Sequence, residues 1–128
     1  MSLKTSIQLI SIFLHKWGPA LVMMVIIFFF SSLPSNNVPD FGKFEFPVKK
    51  GGHAFGYLLL GRACLHGFGL GKKAPWLAWG LCIVYAITDE IHQSFVPGRS
   101  PRVLDVGIDA LGTLLGLLPA MIRLRRGN

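Results

Sequence analysis

Four ionisable side chains have the chemistry of a catalytic site: His53, Asp89, Glu90 and Asp105. Imidazole and carboxyl groups can give a proton to a reacting group or take one from it, which makes them general acids and bases. We assign the role of general base to Asp89 or Glu90 and the role of general acid to His53. Asp105 completes the candidate catalytic group, and the reaction class that we expect is hydrolysis or group transfer.

A second set of residues is suited to binding, and it consists of Lys50, Tyr57, Gln93, Arg99 and Asp109. Lys50, His53 and Tyr57 are spaced i, i+3, i+7 and therefore share one face of a helix. Arg99 follows Pro97-Gly98, which predicts a type II turn because proline fixes φ and glycine accepts a positive φ. The planar guanidinium on this turn could hold an anionic head group.

Long apolar runs must position these residues. The chain has 128 residues, of which 52% are hydrophobic and 15% are charged, whereas about 25% of residues are charged in soluble domains. A helix that crosses a bilayer needs roughly 17–25 mostly apolar residues, and its backbone must satisfy its own hydrogen bonds. The sequence therefore predicts one all-α domain over residues 1–128, an integral membrane bundle of four transmembrane helices at about 17–33, 51–70, 75–95 and 103–123.

Alternating helix direction brings the ionisable residues to one side of the membrane. His53 lies at the start of the second predicted helix, Asp89 and Glu90 lie at the end of the third, and Asp105 and Asp109 lie at the start of the fourth. A carboxylate near the bilayer centre costs at least ~2.5 kcal/mol, so we expect these polar faces to pack inward. An ionisable cluster inside a membrane is a candidate functional site.

Smaller features predict packing. The spacing Gly112-x-x-x-Gly116 continues the face of the two aspartates and is typical of close helix contacts. Pro19, near the start of the first run, suits the first turn of a helix. Cys64 and Cys82 lie in different apolar runs, and we interpret them as buried thiols without a function.

The basic residues predict topology. Although the formal net charge is +7, these residues flank the apolar runs, so we expect contact with lipid head groups and no nucleic-acid partner. With four spans, the side that holds both termini carries Lys4, Lys16, Lys72, Lys73, Arg123, Arg125 and Arg126. The other side carries Lys43, Lys49, Lys50, Arg99 and Arg102. This bias predicts that both termini are cytoplasmic.

A metal site is a weaker alternative. Carboxylates and imidazoles could bind a divalent ion, but the sequence contains no H-E-x-x-H or comparable helical motif. We therefore expect no metal and no other cofactor, and elemental analysis would decide the question.

Two stretches resemble the VanZ-like family of membrane proteins, and together with the preceding helix they cover nearly the whole chain. The first is Lys50-Gly-Gly-His53-Ala-Phe55-Gly-Tyr57-Leu, which is similar to the lysine, histidine and tyrosine at the head of a family helix. The second is more specific and resembles the family's D-E-x-x-Q, P-G-R and downstream aspartate; it comprises Asp89, Glu90, Gln93, Pro97-Gly98-Arg99, Asp105, Asp109 and Gly112. The chain departs from the family at Lys49, where aspartate is frequent, and at Asp109, where asparagine is frequent.

This resemblance implies a multi-pass protein of the bacterial cell envelope, located in the cytoplasmic membrane. The family is named for a member associated with glycopeptide-antibiotic resistance, but the name supplies no reaction. The additional carboxylate at Asp109 favours a protonated or cation-binding site.

Four functional alternatives remain open at this point. The first is an enzyme that acts on a phosphorylated or glycosylated envelope lipid, and the second is a binder that holds a lipid-linked head group or an envelope partner without turnover. A third possibility is that Asp89, Arg99 and Asp105 form a structural ion-pair network that fixes helix register. An oligomeric pore ranks lowest, because four short helices are few for a transporter. The sequence determines neither the ligand nor the oligomeric state.

Overall fold

Four α-helices make up most of the protein in the computed structural model, which describes residues 2–127. No β-strand occurs in that part of the chain, so the all-α prediction is confirmed. Two short 3₁₀ helices, Ser35–Asn37 and Gly42–Phe44, lie in the connection between the first two α-helices. The α-helices are α1 Leu3–Ser31, α2 Glu45–Phe68, α3 Ala74–Gln93 and α4 Val103–Arg126.

Helix α1 begins at Leu3, well before the predicted start near residue 17. The Ser2 side chain accepts a hydrogen bond from the Thr5 amide at 3.3 Å, which satisfies one of the free N–H groups at the start of the helix. The segment that follows contains no glycine or proline until Gly18. This segment therefore contains no residue that would break the helix before the apolar run.

Pro19 consequently lies inside α1, and its prediction as a first-turn residue is wrong. Proline has no N–H, so the carbonyl oxygen of His15 lacks its usual partner in the helix. The Nε2 atom of His66 in α2 lies 3.1 Å from that oxygen. A histidine of the neighbouring helix thus takes the place of the missing donor.

Helix α2 begins at Glu45, before the predicted start near residue 51. Pro47 is compatible with this start because the N–H that proline lacks has no helical partner in the first turn. An ion pair between Lys49 and Glu45, one turn apart, further supports the turn. The added turn brings Lys49 and Lys50 onto the helix.

Helices α2 and α4 run in the same direction and pack backbone against backbone. A Cβ atom on Gly112 would lie 2.8 Å from the Cα of Ala54, and a Cβ atom on Gly116 would lie 3.1 Å from the carbonyl carbon of Leu58. Real Cβ atoms almost never lie as close as 2.8 Å to such a heavy atom. The predicted packing role of Gly112-x-x-x-Gly116 is therefore confirmed.

Helix α3 contacts each of the other three helices. Its Tyr85 hydroxyl donates to the Met24 carbonyl of α1 at 2.5 Å, and its Trp79 Nε1 donates to the Ala110 carbonyl of α4 at 3.1 Å. The two buried cysteines face each other between α2 and α3, with their Sγ atoms 3.8 Å apart.

The bundle carries polar side chains inside and large apolar side chains outside. The buried polar residues are Ser31, Asp89, Glu90, Gln93, Asp105, Asp109 and Thr113. Each helix exposes large apolar residues, such as Phe29, Phe55, Val84 and Leu115, which are 60%, 61%, 61% and 61% exposed. Soluble monomers rarely expose large contiguous apolar surfaces, so this distribution suits a lipid environment.

Helices α1 and α4 are long and apolar enough to cross a membrane. Helices α2 and α3 have 24 and 20 residues, which correspond to about 36 and 30 Å of helix. That length matches a hydrocarbon layer of about 30 Å. The number of spans stays a prediction for these two helices.

Candidate functional site

The ends of α2, α3 and α4 that carry the ionisable residues enclose a cavity of about 450 Å³, which we call the polar cavity. Among the residues predicted for the site, those that line it are Lys50, His53, Glu90, Gln93, Arg99, Asp105 and Asp109. Further polar residues in its lining are Ser35, Lys43, Glu45, Lys49, Ser100 and Arg102. Tyr57 and Asp89, also predicted for the site, do not line it.

Two side-chain pairs join α2 to α4 along one wall of the polar cavity. Lys50 Nζ forms an ion pair with Asp105 Oδ1, and His53 Nδ1 lies 3.5 Å from Asp109 Oδ1. The two pairs are one helical turn apart on both helices, so the close contact of α2 and α4 fixes both together. Removing one partner of a buried pair would leave an uncompensated charge, so each member depends on the other.

Glu90 connects α3 to the start of α4. Its Oε2 accepts a hydrogen bond from the amide of Arg102 at 3.1 Å, and Arg102 is the N-cap residue of α4. The amides at a helix start carry partial positive charge, which stabilises a nearby carboxylate. Asp105 lies in the first turn of the same helix. The carboxylates of Glu90 and Asp105 thus share one helix N-terminus.

The predicted turn before Arg99 is present. Gly98 has φ of +74°, and the amide of Arg99 donates to the carbonyl of Val96 at 3.2 Å. These are the features of a type II turn with Pro97 and Gly98 at its centre. The turn directs Arg99 toward the C-terminal end of α1.

Arg99 binds the carbonyl oxygens at that end of α1. Its Nε donates to the Leu33 carbonyl at 3.0 Å and its Nη2 donates to the Phe30 carbonyl at 3.1 Å. Among residues 2–127, Arg99 forms no ion pair with a carboxylate. The alternative in which Asp89, Arg99 and Asp105 form one ion-pair network is therefore wrong, because the guanidinium satisfies the free carbonyls of a helix end instead.

Asp89 lies in a separate, buried network between α1 and α3. Its Oδ2 accepts from the Ser31 hydroxyl at 2.7 Å and from Gln93 Nε2 at 3.3 Å, and Gln93 Nε2 also lies 3.1 Å from the Ser31 hydroxyl. All three side chains are buried. Asp89 therefore joins two helices and does not line the polar cavity itself, which it reaches only through Gln93.

Some buried polar atoms have no hydrogen-bond partner among the described residues. They are the Tyr57 hydroxyl, Oδ1 of Asp89 and both carboxylate oxygens of Asp109. Such atoms are uncommon in proteins, and each is a position where a further polar group gains a strong interaction. Asp109 is the only one of the three side chains that lines the polar cavity.

The charges around the polar cavity are unequally compensated. Each carboxylate in its lining has a cationic, imidazole or amide partner: Glu45 with Lys49, Asp105 with Lys50, Asp109 with His53, and Glu90 with the Arg102 amide. By contrast, Lys43, Arg99 and the guanidinium of Arg102 have no carboxylate partner within residues 2–127. The cavity is therefore suited to an anion.

A divalent metal ion needs several oxygen or nitrogen ligands close together. No group of three or more His, Cys, Asp or Glu residues in the described part of the chain is placed to hold one. The ring of His53 and the carboxylate of Asp109 form a pair rather than a ligand set.

The chain matches the model of a known family. The family model of VanZ/LLP1 matches residues 16–124, which is most of the chain. The chain belongs to the VanZ/LLP1 family. No curated protein and no solved structure matches it.

The VanZ/LLP1 match includes both stretches that carried the resemblance in the sequence. Together with the apolar exterior and the two helices able to cross a bilayer, it identifies this chain as a VanZ-like membrane protein. The site residues of this VanZ/LLP1 protein come from four separate parts of the chain, and the fold brings them to one end of the bundle.

Sequence reasoning missed Ser31, Lys43 and Arg102. Ser31 is a small polar residue at the end of an apolar run, and this position was the available signal. We used Lys43 and Arg102 only to predict membrane topology. Nothing in the neighbouring sequence distinguishes a basic residue that lines a cavity from one on the surface. Their contribution depends on the path of the 32–44 connection, which the helical pattern does not determine.

Proposed function

We propose that this VanZ/LLP1 protein is a multi-pass protein of the bacterial cytoplasmic membrane that binds the anionic head group of an envelope lipid in the polar cavity. The observation that carries this proposal is the charge balance of the cavity. Three of its four carboxylates pair with a lysine or a histidine and the fourth, Glu90, accepts a backbone hydrogen bond, while the side chains of Lys43, Arg99 and Arg102 have no carboxylate partner in the described chain. A phosphate or similar anion would compensate these cations, and arginine and lysine are the usual residues that bind phosphate.

The position of the cavity favours a lipid over a soluble anion. The cavity lies at the ends of helices whose outer surfaces are apolar, where lipid head groups meet the protein in a bilayer. With four spans and both termini in the cytoplasm, this end faces the outer side of the membrane. A head group could enter sideways from that leaflet while its hydrocarbon part stays among lipids.

A second candidate function is supported by the His53–Asp109 pair. A carboxylate that orients an imidazole is a recurrent arrangement in acid–base catalysis. In this version Glu90 takes a proton from a water molecule that attacks the phosphorus of the head-group ester, the bond from phosphorus to the alcohol oxygen breaks, and His53 gives a proton to the leaving alcohol. Incubating the purified protein with a panel of envelope lipids tests it, and turnover that disappears in His53→Gln would support catalysis. A lipid panel that is unchanged leaves binding as the function.

The binding proposal is tested by native mass spectrometry of the full chain in detergent. The probes are dioleoyl phosphatidic acid, whose head group is an unshielded phosphate, and dioleoyl phosphatidylcholine, whose phosphate carries a cationic choline. We expect the wild-type protein to bind phosphatidic acid more tightly. Lys43→Gln and Arg102→Gln should each weaken that binding by about tenfold, because hydrogen bonds to charged groups contribute about 1.5 kcal/mol or more.

Lys72→Gln and Arg125→Gln are the matched controls. Both residues are exposed basic residues that do not line the polar cavity. They should leave the affinity for phosphatidic acid unchanged. Equal binding of the two lipids, or an equal effect of Lys72→Gln and Lys43→Gln, would show that the cavity has no part in selecting the head group.

A further inference from the structure

A second cavity, of about 630 Å³, lies between α1 and α2 next to the connection that joins them; we call it the apolar groove. Its walls include Ile26 and Phe30 from α1, Phe55 and Leu59 from α2, and Val38 and Phe41 from the connection. Its volume falls within the range of about 300–1,000 Å³ that is typical of ligand sites. The family match and the proposed function give it no role.

The apolar groove and the polar cavity share part of their walls. Lys49, His53 and Arg99 line both of them. Positive charge and a titratable ring are thus located where an almost wholly apolar space meets a polar one. A ligand that occupies both spaces would place a charged group at this junction and a hydrocarbon segment beyond it.

We propose that the apolar groove holds a hydrocarbon chain of the same lipid whose anionic head group lies in the polar cavity. This inference rests on the proposed function and specifies its substrate class. The ligand is an amphiphile with a long hydrocarbon chain and an anionic group, joined by a linker short enough that each part occupies its own space on either side of the junction. Selection would then depend on the chain as well as on the head group.

The charges at the junction favour a lipid chain over a helix of another protein. An apolar helix face has no anion to place against Arg99, and covering the junction would remove water from this guanidinium and from the Lys49–Glu45 ion pair. Part of the groove wall comes from the chain's own connection, through Val38 and Phe41. This leaves a space bounded on several sides, which suits a narrow chain.

Two glycines keep the α2 side of the groove open. Gly52 and Gly56 are one turn apart on the same face of α2, and both line the groove. A Cβ atom on Gly52 would have no other heavy atom within 4 Å, while one on Gly56 would lie 3.6 Å from Ile27 Cγ1. A leucine at position 52 can therefore enter the groove without a backbone clash and occupy the space of a hydrocarbon chain.

Gly52→Leu and Gly51→Leu form a matched pair for the test. Gly51 precedes Gly52 on α2, is also exposed and lines neither cavity, and a Cβ atom at this position would likewise meet nothing within 4 Å. The probes are dioleoyl phosphatidic acid and dibutyryl phosphatidic acid, which have the same head group but chains of very different length. Binding of each probe is measured for the full chain in detergent.

We expect Gly52→Leu to weaken binding of the dioleoyl probe by at least tenfold and to leave the dibutyryl probe unchanged. Gly51→Leu should change neither affinity. If Gly52→Leu binds the dioleoyl probe as wild type does, the chain site is wrong and the head-group proposal stands. If wild type binds neither probe, the proposed function itself fails. If inorganic phosphate binds as tightly as the dioleoyl probe, the ligand is a free anion and the groove has no part.

A second measurement, photo-crosslinking, uses only the wild-type protein and therefore does not depend on whether a variant folds. A phosphatidic acid with a diazirine in the middle of its acyl chain is photolysed in complex with the wild-type protein. We expect labelled residues at Ile26, Phe30, Phe55 or Leu59. Labelling spread over the outer face of α4, at Leu111 and Leu115, would overturn the inference, because that face is exposed but lies outside the groove.

Discussion

The Nδ1 atom of His53 lies 3.5 Å from Oδ1 of Asp109, and neither carboxylate oxygen of Asp109 has a hydrogen-bond partner among the described residues. Asp109 is only 1% exposed. Its carboxyl group therefore has a single neighbouring imidazole as its polar partner among these residues. This contact gives the pair a direct thermodynamic test.

We expect His53→Ala to destabilise the protein by about 3–5 kcal/mol, because it leaves a buried carboxylate without its partner. Adding Asp109→Asn should recover most of that loss, since a neutral amide is less costly to bury than a charge. Unfolding in mixed detergent micelles with increasing dodecyl sulfate measures both variants. A double variant no more stable than His53→Ala would mean that Asp109 carries no buried charge in the wild type.

The contact of α2 and α4 predicts a sharp contrast between two glycines of α4. Gly112→Ala should destabilise the protein by about 1–3 kcal/mol or more, because the new methyl group would meet the backbone of Ala54 at 2.8 Å. Gly107→Ala, in the same helix, meets nothing within 4 Å and should be neutral or stabilising by up to about 1 kcal/mol. The same unfolding assay compares them, and equal effects would contradict the close packing.

Substitution of Ser31 should affect the stability of the protein and not its ligand binding. Ser31→Ala removes the hydroxyl that donates to Asp89 and lies next to Gln93, so we expect a loss of about 1–3 kcal/mol in stability. Affinity for phosphatidic acid should hold, because Ser31 and Asp89 do not line the polar cavity and Gln93, which does, keeps its hydrogen bond to Asp89. Ser11→Ala, at an exposed position of α1, is the control. A Ser31→Ala protein that is stable but binds no lipid would show that this hydrogen-bond network is part of the lipid-binding site.

Topology is tested with a membrane-impermeant maleimide on intact cells. Asn37 lies in the connection between α1 and α2 and Lys72 lies in the turn between α2 and α3, and both are exposed. Asn37→Cys should react from outside, whereas Lys72→Cys should react only after permeabilisation. Wild type is the control, because its two cysteines are buried. Reaction of both positions from the same side would exclude a span by α2 between them.

The sequence predicted the number of helices and the end at which the ionisable residues meet, because both follow from apolar runs and alternating direction. Helix starts were less predictable. Ser2 extends α1 to Leu3, and Pro47 permits α2 to begin at Glu45. Each depends on a cap or a first-turn position that is outside the apolar pattern.

Pairing inside the site was predictable only in part. The i, i+3 spacing of Lys50 and His53 placed them on one face, and the structure pairs them with Asp105 and Asp109 across the α2–α4 contact. The choice of partner depends on how far the two helices slide past each other, and the glycine contacts set that register. For Arg99, spacing predicted the turn but not its partners, since helix-end carbonyls carry no signature in the sequence.

Two substitutions of Arg99 separate its contacts with α1 from its proposed contribution to anion binding. The guanidinium joins the Leu33 and Phe30 carbonyls through two different nitrogens, and it also lines the polar cavity with a positive charge. Arg99→Ala removes both contributions, so we expect a stability loss of about 1–3 kcal/mol together with weaker binding of phosphatidic acid.

Arg99→Lys keeps the charge but replaces a planar fork with a single ammonium, which cannot bridge both carbonyls in the same geometry. It should therefore lose stability while its affinity for phosphatidic acid stays within about threefold of wild type, less than the roughly 1.4 kcal/mol of a tenfold change. Both quantities are measured on the same samples. If Arg99→Lys is as stable as wild type but binds as poorly as Arg99→Ala, the guanidinium contacts the head group directly. In that case its hydrogen bonds to the α1 carbonyls do not contribute to the stability of the protein.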